Sequence, residues 1–597
     1  MNKLIFPLIA MVQVLFFFSC KRETPFESVP EVQITPEFLP PNEVDLKDLG
    51  FWTTEGGNWS VASEVKSDFQ EEWNLEIVPG SGILVNQVKD EGKRDIKGAA
   101  DGKHIFSQIQ HGDLEMDLEV MVPKGSNSGI YFQGRYEIQI RDTEEDSDLS
   151  VDDMGAIYGQ KAPAINAARM PGLWQQLKVI FRAPRFNEAG EKISNAKFEK
   201  VLLNGFLIHE NVEVSSPTTE AVSLEEVSMA PLMIQGDHGP VAFRNIRYKA
   251  FDIDQKVELK NITYKLYEGK FDYIPDFSTL PLLKSGEAIN FDKIPDLAGF
   301  NDGINIEFEG TLSIPIDGDY LFETIIDDGG NLYIDSNLVV NNEGDPGYGV
   351  ERKIITLSAG EHSFKQTYYQ EVWGSTLKVY VEGPGLEKRQ IPMNSEQSPR
   401  EIAREELSLE IEVGEQPELI RGFVHHFENK KTHILNVGTS AGIHYSFDTR
   451  NSQLINAWKG RFADVSKMWI NRGEEQLLQP LGAVLAIDFN GMALEPMGYN
   501  LNENGFPVFE YVTGKSKIKD LIVPSTDIKG LKRTIEAEGA GINFVLANAK
   551  QIQLLTNGWY SIDQRYLIKP ESEVKIEGGK LTAQVKPGST FIYSLIW

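Results

Sequence analysis

The stretch Ser126 to Asp142, SNSGIYFQGRYEIQIRD, limits the fold most tightly, because its apolar and long polar side chains fall on opposite parities. Ile130, Phe132, Tyr136, Ile138 and Ile140 are even-numbered; Tyr131, Gln133, Arg135, Glu137, Gln139 and Arg141 are odd. A strand points alternate residues to opposite faces, so the segment predicts a sheet with one buried face and one crowded with hydrogen-bonding groups. The pattern suits one long strand or a hairpin turning at Gln133-Gly134.

The same texture recurs in DLEMDLEVMVP, FEKVLLNGFLIHENVEV, VAFRNIRYKAF and STLKVYVEGPG, while long stretches of helical period are nearly absent. The expected class is therefore all-β and multidomain, built of several β-sandwiches. Leu203-Asn204-Gly205 and Asp335-Ser336-Asn337 read as hairpin turns. At 597 residues the chain is too long for one core. Polar gaps at 251–261 and 393–409 read as linkers, giving domains at 45–250, 262–392 and 410–597.

Fifty-eight basic against 88 acidic residues leave a net charge of −30, which repels phosphate backbones and argues against nucleic acid as a partner. The first twenty residues, MNKLIFPLIAMVQVLFFFSC, place Lys3 before an apolar run and end in Cys20, the single cysteine. That run reads as an export signal, and no intramolecular disulfide can form. A cysteine directly after such a run resembles a bacterial lipoprotein lipobox, which implies lipidation at Cys20 and a lipid anchor in a membrane of the bacterial cell envelope. Residues 21–44, rich in Pro and Glu, then read as a tether. KRET after Cys20 lacks an acidic run and leans toward the periplasmic side rather than the cell surface.

Short motifs that carry chemistry are missing: there is no HExxH, GxSxG, P-loop or GxGxxG. Instead the first domain sets NSGIYFQGRYEIQIRD, GAIY, PGLWQQL, LNG and IQGDHGPVAFRNIRYK in order. This order resembles the 3-keto-disaccharide hydrolase domain family, a concanavalin-like jelly roll. The resemblance implies chemistry on glycosides already oxidised to a ketone at the third carbon. Such a ketone acidifies the hydrogen on the second carbon, so a base can remove it, the enolate can expel the group on the first carbon, and water can add. A site of that kind needs a base, a group facing the enolate oxygen and a proton donor for the leaving oxygen.

Glu137 and His238 are the candidate catalytic residues. Glu137 reads as a base, as a metal ligand, or as a solvent-facing strand residue paired with Arg135. His238, after Asp237 in a glycine-flanked loop, suits proton transfer or metal binding, or serves only to organise the turn. Arg135, Gln139, Tyr158, Trp174, Gln235 and Arg244 are the candidate substrate-binding residues, although a Trp in the place of Trp174 is more often core and Arg244 also reads as a sheet ion pair. His111 and His209 read as structural. A divalent metal between Glu137 and His238 is the candidate cofactor of this domain, without an HxH or CxxC motif behind it.

DDGGNLYID and LSAGEHSF resemble the protective-antigen-type (PA-14) β-sandwich, whose members often bind carbohydrate; in its lectins two adjacent acidic residues hold calcium. Asp327 and Asp328 stand at that place, with Asn341, Asn342 and Asp345 as further oxygen donors. The third domain reads as a β-rich accessory module, and Trp458, Arg461, Asp464, Trp469 and Arg472 line either a groove or a core. Two functions follow as expectations: an exported enzyme cleaving 3-keto-glycosides with carbohydrate-holding sandwiches, or a non-catalytic glycan-binding protein.

Overall fold

The computed structural model describes residues 35–88, 103–143, 149–252, 255–271, 273–291, 294–343, 349–372, 375–392, 408–427, 429–469, 476–488 and 492–597. Cys20, Asp345 and Arg472 lie outside these ranges. Among the described residues all named strand pairs are antiparallel, and no helix is long and apolar enough to cross a membrane.

The first sandwich pairs an eight-stranded sheet with a five-stranded one. The larger runs Phe206–Val214, Ala196–Leu203, Trp174–Arg182, Asp113–Met121, Val241–Phe251, Glu76–Asn86, Trp59–Lys66, with Asn42–Glu43 added on Val241–Phe251. The smaller runs Trp52–Thr54, Ile105–His111, Ala230–Ile234, Asn127–Phe132, Tyr136–Arg141. Phe132, Tyr136, Phe181 and Phe198 pack between them, with Phe132 and Phe181 ring centroids 5.1 Å apart. The opening stretch is a hairpin turning through Gln133 (φ 54°) and Gly134 (φ 64°). Asn204 and Gly205 also take positive φ, as a two-residue hairpin requires.

The second sandwich stacks a six-stranded sheet on a four-stranded one around Phe308, Phe322, Tyr320 and Tyr368. Its first strand, Glu258–Tyr267, begins inside 251–261, which therefore is not wholly a linker. In the third sandwich a five-stranded sheet faces an eight-stranded one around Phe447, Phe509, Phe544 and Tyr593. A fully buried ion pair, Arg533 Nη2 to Asp520 Oδ2 at 2.6 Å, lies in that core, with the Tyr593 hydroxyl 3.0 Å from Arg533 Nη1.

The end of the expected tether is docked rather than free. The Leu39 N–H donates to Glu382 Oε2 at 2.9 Å, and the Phe38 ring sits between the Lys249 and Lys388 ammonium groups at 5.5 and 5.1 Å. Its last residues, Asn42–Glu43, pair with Val241–Phe251 of the first sandwich, so the segment finds partners on two sandwiches.

Candidate active site

Ile130, Phe132, Ile138, Ile140 and Ile234 fill the core of the first sandwich. Alternation therefore turns Tyr131, Glu137, Gln139, Met233 and Gln235 to the other side of the five-stranded sheet. Across the ladders Tyr131 stands opposite both Glu137 and Met233, and Gly129 opposite Gln139. The Tyr158 N–H donates to the Glu137 carbonyl at 3.2 Å, bringing residues 155–158 along the sheet edge. On the other flank the Thr218 N–H donates to the Arg135 carbonyl at 2.8 Å, and Thr218 Oγ1 accepts from the Glu137 N–H at 3.1 Å.

These covers leave Glu137 only 2% exposed. A Cβ on Gly129 would come 2.0 Å from Glu137 Oε1, so the carboxyl lies where only glycine leaves room. Its Oε2 is buried and has no hydrogen-bond partner. Burial pushes the Glu137 pKa up to about 8; the Tyr131 hydroxyl pulls it down, and the charges of Glu220 and Asp237 push it further up. A carboxyl in that position is mostly neutral at pH 7 and can donate a proton.

A second cluster lies in the loop after Ala230–Ile234, near enough for the Asp237 charge to act on Glu137. His238 Nδ1 lies 2.6 Å from Asp237 Oδ1, and His104 Nδ1 lies 4.0 Å from the same oxygen. Burial raises the Asp237 pKa, but the His238 hydrogen bond and the charges of both histidines outweigh it, so the carboxylate stays below its usual range. An ionised Asp237 accepts from Nδ1–H, which leaves His238 Nε2 as the basic nitrogen of the neutral ring. The Gly236 N–H donates to His104 Nδ1 at 3.2 Å, so the proton of neutral His104 sits on Nε2; burial lowers its pKa. One buried proton donor and one Asp-oriented base are the pair that elimination needs.

The structure thus brings Glu137, Gln139, Tyr158, Gln235 and His238 together and separates the other three candidates. Arg135 belongs to the hairpin turn, not to the face of Glu137, because its guanidinium donates to the Glu225 and Gln133 carbonyls. Trp174 and Arg244 lie on the outer face of the eight-stranded sheet. The Arg244 guanidinium stacks 4.0 Å over the Trp174 ring and pairs with Glu119, while the indole N–H donates to Gln564 Oε1 at 2.7 Å. A tryptophan 2% exposed between two domains has no face to offer a sugar. Sequence reasoning missed His104 and Glu220 as neighbours of the site. Tyr131 was visible in the odd parity but carried no assigned role.

His111 and His209 are buried and bonded to the carbonyls of Gly112 and Gly155, which fits a structural role. Among the described residues no group of three or more His, Cys, Asp or Glu is arranged to hold a metal ion. Glu137 and His238 alone do not make a coordination shell. In the second sandwich Asp328 Oδ2 accepts from the Glu371 N–H at 2.6 Å, and burial and the Asp328 charge raise the Asp327 pKa.

No curated protein matches the chain. Three solved structures illustrate what structural comparison finds. A candidate glycosyl hydrolase from Parabacteroides distasonis is 24% identical, over 37% of this chain and 96% of its own, at a TM-score of 0.26. A second from that organism is 19% identical over 35% and 100%, at 0.24. An anti-sigma factor domain-containing protein from Clostridium clariflavum is 11% identical over 51% and 87%, at 0.19. Family models match two segments, and the chain accordingly carries a 3-keto-alpha-glucoside-1,2-lyase-like domain at residues 42–249 followed by a PA14 domain at residues 274–395.

Proposed function

We propose that the first sandwich cleaves the glycosidic bond of a 3-keto-glycoside by elimination and hydration, and that the second holds the carbohydrate. The observation that carries this reading is the buried Glu137 carboxyl, whose Oε2 has no hydrogen-bond partner, within reach of the Asp237 charge and so of the Asp237–His238 pair, in a segment matching the lyase-like family.

In the first half-reaction His238 Nε2 takes the hydrogen on the second carbon, and the electron pair moves to the ketone oxygen as an enolate. The enolate then collapses to a conjugated ketone, the bond between the first carbon and the glycosidic oxygen breaks, and Glu137 protonates the departing oxygen. In the second half Glu137 takes a proton from water as its oxygen bonds to the first carbon, and His238 returns its proton to the second. Each residue ends as it began, and the sum is hydrolysis. Gln139, Gln235 and Tyr158 offer donors and acceptors around the ring.

Glu137→Gln tests the assignment. It should lower release of the aglycone from a 3-keto-glucoside by about a thousandfold, in line with losing a proton-transfer group, while leaving binding nearly unchanged. Turnover that survives removes Glu137 from the chemistry. Binding without turnover in the wild type favours a glycan-holding protein instead.

We propose further that the chain is exported and anchored in the bacterial cell envelope through a lipid on Cys20, the only cysteine. Labelled fatty acid should enter the wild-type chain in cells and not Cys20→Ala; equal labelling of both would discard the anchor.

A further inference from the structure

Two edge strands of the third sandwich, Glu418–His426 on the five-stranded sheet and Glu495–Leu501 on the eight-stranded one, border a groove of about 560 Å³. Phe423, Trp469 and Tyr499 line it with aromatic faces, and Arg421, His433 and Gln476 with polar groups. We propose that this groove is a separate carbohydrate site that takes a pyranose chain bearing carboxylates, such as a uronate oligosaccharide. It lies outside both family matches, and the inference does not rest on the reading of the first sandwich.

The tryptophans show the contrast most plainly. Trp458 is 0% exposed, and its indole N–H donates to the Phe462 carbonyl at 2.8 Å. Trp469, at the end of the one-turn helix Ser466–Trp469, is 56% exposed. With Phe423 and Tyr499 on the same groove this is a shared aromatic surface rather than a lone exposed ring, and the axial C–H face of a pyranose is a suitable cover for the electron-rich face of an indole. Gly498, at φ 115° with nothing within 4 Å of where a Cβ would stand, lets the edge strand keep the groove wall low.

The charge selects among sugars. Arg421 makes no ion pair with a described carboxylate; its Nη2 lies 3.5 Å from the Tyr499 hydroxyl and its guanidinium 5.9 Å from that ring. Held beside that ring, its planar fork matches the geometry of a carboxylate. His433, with Nδ1 3.0 Å from Thr432 Oγ1, stands on the same wall. Among the described lining residues none is acidic, in a chain of net charge −30. A polyanion repelled by the molecule at large is held by such a local cation, and the attraction weakens with salt.

The test is calorimetric titration of the full chain with oligogalacturonate and with an uncharged cello-oligosaccharide of equal length. The wild type should bind the uronate more tightly, and the margin should shrink as salt rises. Trp469→Ala should weaken uronate binding about tenfold or more, as removal of a central aromatic anchor does. Trp469→Phe should restore most of it, and Arg421→Ala should erase the preference for charge. Glu137→Gln should leave all of this unchanged, and neither groove variant should alter turnover of a 3-keto-glucoside. No uronate binding by the wild type, equal affinity for the uncharged chain, unchanged affinity in Trp469→Ala, or loss in Glu137→Gln would each overturn the assignment. Both groove side chains sit on the surface, so an unchanged unfolding temperature separates lost binding from lost fold.

Discussion

At the scale of the residue, Glu137 shows how a site is maintained against stability. Its carboxyl, ordinarily titrating at 4.5, is pushed up to about 8 mainly by burial. Between those values the unfolded chain gives up its proton while the folded one keeps it, so the folded state binds more protons and stability falls as pH rises through the window. The contribution is fully present below about 4.5 and lost by about 8. Glu137→Gln, which carries no ionisable proton, should therefore unfold at a higher temperature than the wild type at pH 8. The gap should be on the order of 4 kcal/mol and close toward pH 4.5. Thermal unfolding across that range measures it, and a wild type as stable as the variant at pH 8 would mean the carboxyl is not held neutral. Turnover should fall above about pH 8, where the donor has lost its proton.

At the scale of the element, what a sequence reveals depends on whether the signal is local. The hairpin containing Glu137 was legible because side-chain parity is a property of the strand itself, and the turn at Asn204-Gly205 because positive φ demands those residue types. Strand Glu258–Tyr267 was only half legible. Leu259 is odd while Ile262, Tyr264 and Leu266 are even, because the register shifts between Lys260 and Thr263, where Asn261 takes φ 52°. A bulge of this kind breaks alternation and makes a strand read as a linker. The candidate site divided the same way. Gln139 follows from parity and lies on the predicted face. His104 sits beside Asp237 only because Ile105–His111 pairs with Ala230–Ile234 from more than a hundred residues away, and nothing in a single strand records that pairing. Arg135 shares Glu137's parity but belongs to the turn, where parity no longer assigns a face.

At the scale of the whole molecule, the sandwiches are joined by contacts of residues that the sequence offers both as core and as sugar binders. Trp174 is the clearest case. Its backbone N–H donates to the Gln564 carbonyl at 2.9 Å, its indole N–H to Gln564 Oε1 at 2.7 Å, and the Gln564 amide donates in turn to the Val65 carbonyl. Around it Leu173, Leu555, Trp559, Leu567 and Ile596 form a shared apolar cluster, with the Phe69 and Trp559 rings 5.6 Å apart. The Thr556 N–H donates to Asp68 Oδ2 at 2.9 Å, and Gln551 Nε2 to Glu64 Oε1 at 2.6 Å. An interface with an apolar centre and satisfied polar groups ties two domains into one cooperative unit. Trp174→Ala removes a whole indole from it and leaves Gln564 Oε1 without its donor, which should cost about 3–5 kcal/mol. In calorimetry the first and third sandwiches should unfold together in the wild type and in separate transitions in the variant. Because Trp174 lies on the opposite face of the first sandwich from Glu137, the KM for a 3-keto-glucoside should hardly change. A raised KM with the unfolding transitions still joined would instead return Trp174 to the sugar, and would require the ring to leave the interface to reach it.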